Sequence, residues 1–544
     1  MAVIERTRAA NIGGSGAETL QRRSLLLLLL AFLGIVLLRE ISDPDIWFYL
    51  VVAREIVATL AIPAREFYLF PAIGEPAVFS ALGFGLLHYA AYTLAGYFGM
   101  ALLNALLVAG ALTILAATAL PRPASVGAWP PLLCVLAGAY ALLEFRAVYR
   151  PETTLYLCLA VEILLLERWL ADGRCRRLLW LPVLTWGITQ LHTTAMLLTL
   201  VFGAYVCHCA VGGLRNRSAA PARQSAFVIA VGAAMLLLPL LNPNGGEQLL
   251  ILFRTLSAGT SNNIEFLATW STEYRWYWVG LALVVTVAWF ASPRRRLVDA
   301  LLLAGFGWLA FRYVRNLGLF ALVAVVPVSR TLVHHAATLA PEWRRRAGGG
   351  LAVAASVVFV AVTWANGGWG IGVRKGMFFE DAVPVIQRIA RGGNVMNFFH
   401  HGGYLAWALG RDYRLAVDGH FVRPSFADEY HDRVMRADPD WESLLARFDV
   451  SIVATPATLP FSGALIPLVE RLADDPRWRL LATEKAGLLF AADGVGSGIP
   501  ALDKRQVWRQ VQREADETLR TYPDHQQAIA ARKLAQRRLA DPIH

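Results

Sequence analysis

Apolar runs close to the length of a membrane span recur through most of the first 370 residues. They fall near 24–38, 99–120, 128–144, 152–171, 178–192, 195–212, 225–241, 276–291, 297–311, 317–333 and 350–366. A spanning helix needs about 20 consecutive apolar residues, because the bilayer interior offers backbone N–H and C=O groups no water. This many runs in one chain predict a polytopic α-helical membrane protein. Charge agrees: Asp, Glu, Lys and Arg make up 17% of the chain and mean hydropathy is +0.47, where soluble domains carry about 25% charged residues. The net charge of +11 would otherwise suggest a surface that tracks phosphates. In so apolar a chain the Arg excess reads as topology, so membrane lipids are expected as partners and nucleic acid is not.

The Arg clusters set the parity of the crossings. Residues 1–23 are polar and carry Arg22-Arg23, which makes them a cytoplasmic tail. Ser24–Leu38 lacks a following small-residue cleavage site and reads as a first span rather than a signal peptide. Clusters at Arg122, Arg174/Arg176/Arg177, Arg215/Arg217/Arg223, Arg294–Arg296 and Arg344–Arg346 can all be cytoplasmic if one further stretch does not cross. That stretch is 77–97, apolar but dotted with His88, Tyr89, Tyr92 and Tyr97. The expected fold is therefore mainly α, with about 11 spans plus one re-entrant or interfacial segment. The transmembrane domain covers 24–370, its first outer loop lies near 42–76, and the C-terminal part is outside the cytoplasm.

From about Met377 the pattern changes. Strand-like pieces at Asn394–Phe398, Leu415–Val417, Val450–Ala454 and Leu488–Ala491 alternate with helical pieces at Asp381–Arg391, Trp441–Phe448 and Leu465–Ala473. Such alternation predicts a small α/β domain over 377–493. A linker at 494–500 leads to a charged helical hairpin over 501–540, broken at Tyr522-Pro523. Five Cys are too few for a disulfide scaffold, and Cys207-His208-Cys209 ends an apolar helix without a second ligand pair. No Gly-rich phosphate loop precedes a helix at suitable spacing.

With this topology, polar residues gather at the outward helix ends. Among them Arg146, Arg150, Arg312 and Arg315 break the positive-inside pattern. Charges near membrane depth usually face a cavity, a partner or a pathway. Directly after the first span stands Ser42-Asp43-Pro44-Asp45. Pro44 biases Asp43 toward an extended backbone, in which residues two apart point the same way. Asp43 and Asp45 then converge on one site; the competing reading is a cap for the helix that begins near Ile46.

The segment through Ile62-Pro63, Glu66-Phe67 and Gly74-Glu75-Pro76 resembles the first outer loop of a large group of bacterial membrane proteins. That group resembles the GT-C glycosyltransferases, enzymes dependent on polyprenyl-phosphate sugars that include protein mannosyltransferases. Further matches, in order over residues 24–493, are Arg150-Pro151-Glu152, Gln190-Leu191-His192, Leu241-Asn242-Pro243-Asn244-Gly245, Ile264-Glu265-Phe266, Arg315-Asn316, Asn397, Gly402-Gly403-Tyr404 and Asp418-Gly419. Where relatives carry a Trp and a His-Glu-Trp, this chain reads Ala77-Val78-Phe79-Ser80-Ala81-Leu82. Glu66 stands for their Asp, and His420 for the Arg of Asp-Gly-Arg.

The resemblance implies a transferase of the bacterial cytoplasmic (inner) membrane that moves a sugar from a polyprenyl-phosphate donor to an acceptor of unknown identity at the outer face. Asp43 and Asp45 are the candidate catalytic carboxylates. A general base is worth about 10²–10⁴ in rate. Glu66, Arg150, Glu152, His192, Glu265, Arg315 and Asn316 are the candidate substrate-binding residues, with Arg150 and Arg315 clamping the departing phosphate. Asp45, Glu66 and Glu265 offer oxygen ligands for a divalent cation, and no metal is assigned. The missing Trp and His-Glu motivate one alternative, an inactive scaffold or binder of the cell envelope. A transporter or flippase is another, although no internal repeat supports it.

Overall fold

The computed structural model describes residues 16–121, 126–215, 222–247, 267–365, 368–420 and 427–541. The chain forms two compact units, Met1–Ile41 with Ser80–Gly372, and Ser42–Phe79 with Val373–His544.

The first unit is helical. Six of its described helices are long and apolar enough to cross a membrane: Glu18–Val36, Leu82–Ala119, Met196–Arg215, Ala222–Leu240, Val314–Thr338 and Ala347–Ala365. This describes a multi-pass membrane protein with fewer such helices than there are apolar runs. The other runs also form helices, but Trp129–Leu143, Trp180–Leu191, Arg275–Ala291 and Leu297–Arg312 are short. Glu152–Asp172 is long enough, yet carries Glu152, Glu162, Glu167, Arg168 and Asp172. Leu317–Thr338 is the central element: every residue from Leu317 to Val326 is buried, against Trp129–Leu143 and Leu297–Arg312. Gly318 makes one of these contacts, because a Cβ there would stand 2.8 Å from Leu143 Cβ. The first helix instead exposes Leu27, Leu28 and Ile35, the outward apolar face of a helix whose solvent is lipid.

The stretch expected not to make a simple crossing is part of Leu82–Ala119, which breaks at Ala95 (φ −146°) and Gly96 (φ +59°). Glycine accepts that positive φ without steric cost. The piece before the break, Leu82–Leu94, rises about 20 Å at 1.5 Å per residue, short of a hydrocarbon core about 30 Å thick.

The second unit holds a five-stranded sheet of order β2-β1-β3-β5-β4: β1 Gly393–Asn397, β2 Tyr413–Leu415, β3 Val450–Thr455, β4 Trp478–Glu484 and β5 Gly487–Ala492. β1 pairs in parallel with β2 and β3, while β5 pairs antiparallel with β3 and β4. Helices Gly402–Leu409 and Trp441–Arg447 fall between the parallel strands. β4 was absent from the strands expected, since Trp478–Glu484 shows no clean alternation; its burial comes from pairing along the whole of β5. The two terminal helices, Arg505–Thr521 and Gln526–Ala540, flank the expected break at Tyr522-Pro523. They bury Val507, Trp508, Val511, Ala531 and Ala535 in the same core as Leu468, Leu480 and Phe490.

Ser42–Phe79 belongs to this second unit. Its helix Asp45–Thr59 packs on Gly402–Leu409; Gly403 permits that approach, while Gly402 lets the Gly402–Leu409 helix lie close to the backbone that follows β2. A Cβ on Gly403 would lie 3.0 Å from the Phe48 backbone nitrogen, and one on Gly402 only 1.9 Å from the Val417 carbonyl oxygen.

Candidate functional site

In the first unit the focal group is Glu152. Pro151, with φ −53°, precedes the helix that Glu152 opens. A carboxylate in a first turn is favoured by the unpaired N–H groups and the macrodipole there. Its Oε1 accepts from Arg146 and, at 3.0 Å, from Arg315 Nη2. His192 Nε2 stands 3.9 Å from Oε2. Arg150 adds to the positive potential on this carboxylate. Three guanidinium groups against one carboxylate, three minus one, leave the group at +2.

The supports of this group are local. Thr194 donates its backbone N–H to His192 Nδ1 at 3.0 Å, so the neutral ring carries its proton on Nε2, the nitrogen nearer Glu152. Asn316 donates to the Leu309 carbonyl at 3.2 Å, closing the turn Val314–Asn316 that presents Arg315. Of the expected residues, the structure thus gathers Arg150, Glu152, His192 and Arg315, with Asn316 holding the turn. Glu265 lies outside the described residues.

A second ionic group occupies the other end of the Glu152–Asp172 helix, about 22 Å along its axis by helical rise. Glu167 accepts from Arg296 at 2.5 Å and from the Tyr205 hydroxyl at 2.7 Å. Asp299 accepts from Arg296 at 2.8 Å and Arg330 at 3.2 Å. Two carboxylates and two guanidinium groups cancel, as in a structural tie between helix ends.

The second unit carries Asp43, Asp45 and Glu66. Pro44 adopts φ −72°, ψ −23° and the helix begins at Asp45, so the segment is not the extended one expected. Once Pro44 takes a helical ψ the two carboxylates no longer alternate in register. Instead Asp43 Oδ1 accepts the Asp45 N–H at 2.9 Å across Pro44. Asp43 is buried while Asp45 is half-buried. Glu66 Oε1 accepts the N–H groups of Phe67, Tyr68 and Leu69 at 2.9, 2.9 and 3.0 Å. Burial nonetheless raises its pKa above the usual range. Among the described residues no group of three or more His, Cys, Asp or Glu is arranged to hold a metal ion; of the expected oxygen ligands Asp45, Glu66 and Glu265, the last lies outside those residues.

Two functional-looking groups escaped the sequence reading. The sequence marks Arg146 only as one of four outward Arg, yet it is the most buried partner of Glu152. Asp418 was seen only as part of a motif. Its carboxyl binds the Tyr68 hydroxyl and accepts the His420 N–H at 2.7 Å. Burial pushes it up to about 8, with Glu66 and Asp45 adding to the rise.

No protein-family model matches the chain, and no curated protein does. Solved structures do. The apo oligosaccharyltransferase of Archaeoglobus fulgidus matches with a TM-score of 0.52 at 11% identity, over 81% of this chain and 70% of that one. ArnT from Cupriavidus metallidurans matches at 0.51 and 12%, over 87% of this chain and 97% of that one. Arabinofuranosyltransferase AftD from Mycobacteria matches at 0.50 and 14%, over 89% of this chain and 40% of that one. All three are GT-C glycosyltransferases. The fold of this chain is GT-C-like. In this GT-C-like chain the Arg-rich group lies at the ends of helices in the first unit, and the acidic loop is built into the second.

Proposed function

We propose that this protein is an integral membrane glycosyltransferase that takes a sugar from a polyprenyl-phosphate donor and passes it, with inversion, to an acceptor at the outer membrane face. The observation that carries this reading is the group around Glu152. Its excess of two positive charges suits a leaving lipid phosphate, and Arg150 and Arg315 are the partly exposed members. A guanidinium fork offers paired charge-assisted hydrogen bonds to phosphate oxygens. Charge grows on that phosphate as the glycosidic bond breaks, so the fork stabilises the transition state more than the bound donor. Glu152 holds the Arg315 side chain, Asn316 closes the turn that carries it, and His192 stands 3.9 Å from the remaining carboxylate oxygen.

Asp45 is the better base of the two acidic candidates, because Asp43 is buried and committed to the Asp45 N–H. It would take the proton of the acceptor hydroxyl as that oxygen attacks the anomeric carbon. The archaeal oligosaccharyltransferase AglB, matched at a TM-score of 0.50, has been solved with an inhibitory peptide and a dolichol-phosphate; a lipid phosphate of that class is the donor carrier proposed here. The domain layout that goes with this reading has the tail 1–23 inside, 24–370 in the bacterial inner membrane apart from its first outer loop near 42–76, and 377–493 with the hairpin 501–540 outside.

The test is transfer in proteoliposomes supplied with polyprenyl-phosphate sugars and a crude envelope acceptor fraction. Labelled sugar should leave the lipid with the intact protein and much more slowly when Asp45 or Arg315 is replaced. Movement of intact lipid-linked sugar between leaflets without glycosidic cleavage would instead establish a flippase.

A further inference from the structure

The segment that carries Asp43 and Asp45 is fastened into the α/β unit along its whole length. Trp47 packs edge-on against Tyr404 and Phe378, with centroids 5.0 and 5.5 Å apart. Arg54 donates to the carbonyls of Ala406 and Trp407, both at 2.9 Å, and lies over the Trp407 ring. Glu55 pairs with Arg411 at 2.7 Å. The Leu415 N–H reaches the Tyr68 carbonyl at 2.9 Å, so Leu69 extends the sheet beside β2. Phe79 stacks on His420 at 4.4 Å.

One of these contacts differs in kind. Tyr68 and Asp418 are buried polar groups that satisfy one another. Apolar side chains would pack such a place more cheaply but would not fix register, whereas a hydrogen bond is directional. The next residue after Asp418 is Gly419, and a Cβ there would stand 2.9 Å from Asp45 Oδ1. The Asp418-Gly419 turn therefore lies directly against the Asp45 carboxylate. We propose that the α/β unit is the positioning element for Asp45, with the Tyr68–Asp418 hydrogen bond as the pin that sets its register. Tyr68 and Asp418 are positioning residues; they act through the turn at Gly419. The kinetic half of this inference rests on the transferase reading, and the structural half does not.

The experiment compares wild type, Tyr68→Phe, Asp418→Ala and Asp418→Asn as full chains in nanodiscs. Hydrogen exchange is read in peptides spanning 42–50, beside transfer kinetics. Local opening is read directly by exchange, so losing the pin should speed exchange there about tenfold while Leu317–Thr338 is unchanged. Displacement of a catalytic group by about 1 Å can cost about 10²-fold, so kcat should fall by about 10–100-fold with KM for the lipid donor held within about twofold. Asp418→Asn should rescue both readouts, since its amide can donate to the Tyr68 oxygen. The double variant Tyr68→Phe with Asp418→Ala should be no worse than either alone, because both remove one bond. Unchanged exchange in 42–50 overturns the pin, whether or not transfer activity is found. Faster exchange with unchanged kcat overturns the positioning role. If wild type transfers nothing, exchange alone decides the pin, and the failure belongs to the transferase reading.

Discussion

Removing the charge of Glu152 and removing that of Arg315 should have opposite signatures. Arg146 is 3% exposed and has Glu152 as its carboxylate partner, while the Arg315 side chain is 25% exposed. Glu152→Gln leaves Arg146 buried beside an amide. Breaking a buried pair from one side costs 3–5 kcal/mol, and the retained amide oxygen puts this case near the lower end, about 3 kcal/mol. Arg315→Ala leaves Glu152 still satisfied by Arg146, so the stability cost is one partly exposed charge-assisted bond, about 1 kcal/mol. Against a lipid phosphate the order reverses. A lost charge-assisted bond to phosphate weakens binding by about 2 kcal/mol, about thirtyfold in Kd. Arg315→Lys should fall between, because an ammonium cannot reproduce the fork. Arg150→Ala should behave like Arg315→Ala. The assay pairs polyprenyl-phosphate binding with thermal unfolding, both in nanodiscs. Unchanged lipid affinity in both Arg variants together with a large loss of stability would refute the clamp and leave a structural ion-pair cluster.

Asp45→Asn should lower turnover by about 10²-fold with little change in melting temperature, whereas Asp43→Asn, whose amide oxygen still accepts the Asp45 N–H, should retain most activity; the reverse pattern in a transfer assay would move the base to Asp43. The Asp418 carboxyl, raised by burial to about 8 from about 3.9 in an unfolded chain, takes up a proton when the chain folds between those two pH values. Its stabilisation is fully present below about pH 4 and is lost as pH rises through about 8, by a few kcal/mol in all. Asp418→Asn should flatten the decline in melting temperature between pH 5 and pH 8.5, and an unaltered decline would place the slope elsewhere. At the far end of the first unit, Glu167→Gln should destabilise the bundle by about 3 kcal/mol without changing lipid-phosphate affinity, as measured by the same pair of assays.

Local pattern alone determined a good deal here. The apolar runs could only become helices, because a bilayer leaves no other partner for the backbone. Tyr522-Pro523 could only interrupt the terminal helices, since Pro lacks an N–H and restricts the residue before it. The alternation after Met377 was enough for strands at β1, β3 and β5, and Pro44 marked the start of the helix at Asp45. What stayed hidden depends on residues far apart in sequence. Arg315 reaches Glu152 across 163 residues and Tyr68 reaches Asp418 across 350; no spacing rule encodes either pair. The same distance explains why Arg146 looked like one outward Arg among four, when burial makes it the main counterion of Glu152. Gly402-Gly403 is a motif without a reason in the sequence; in the fold Gly403 makes room for the helix Asp45–Thr59 and Gly402 for the backbone at Val417. The first outer loop read as part of the membrane domain because it interrupts that domain's sequence. Its carbonyl and hydroxyl partners lie on β2 and the turn after it, and those hydrogen bonds, which only the folded chain can form, build it into the α/β unit.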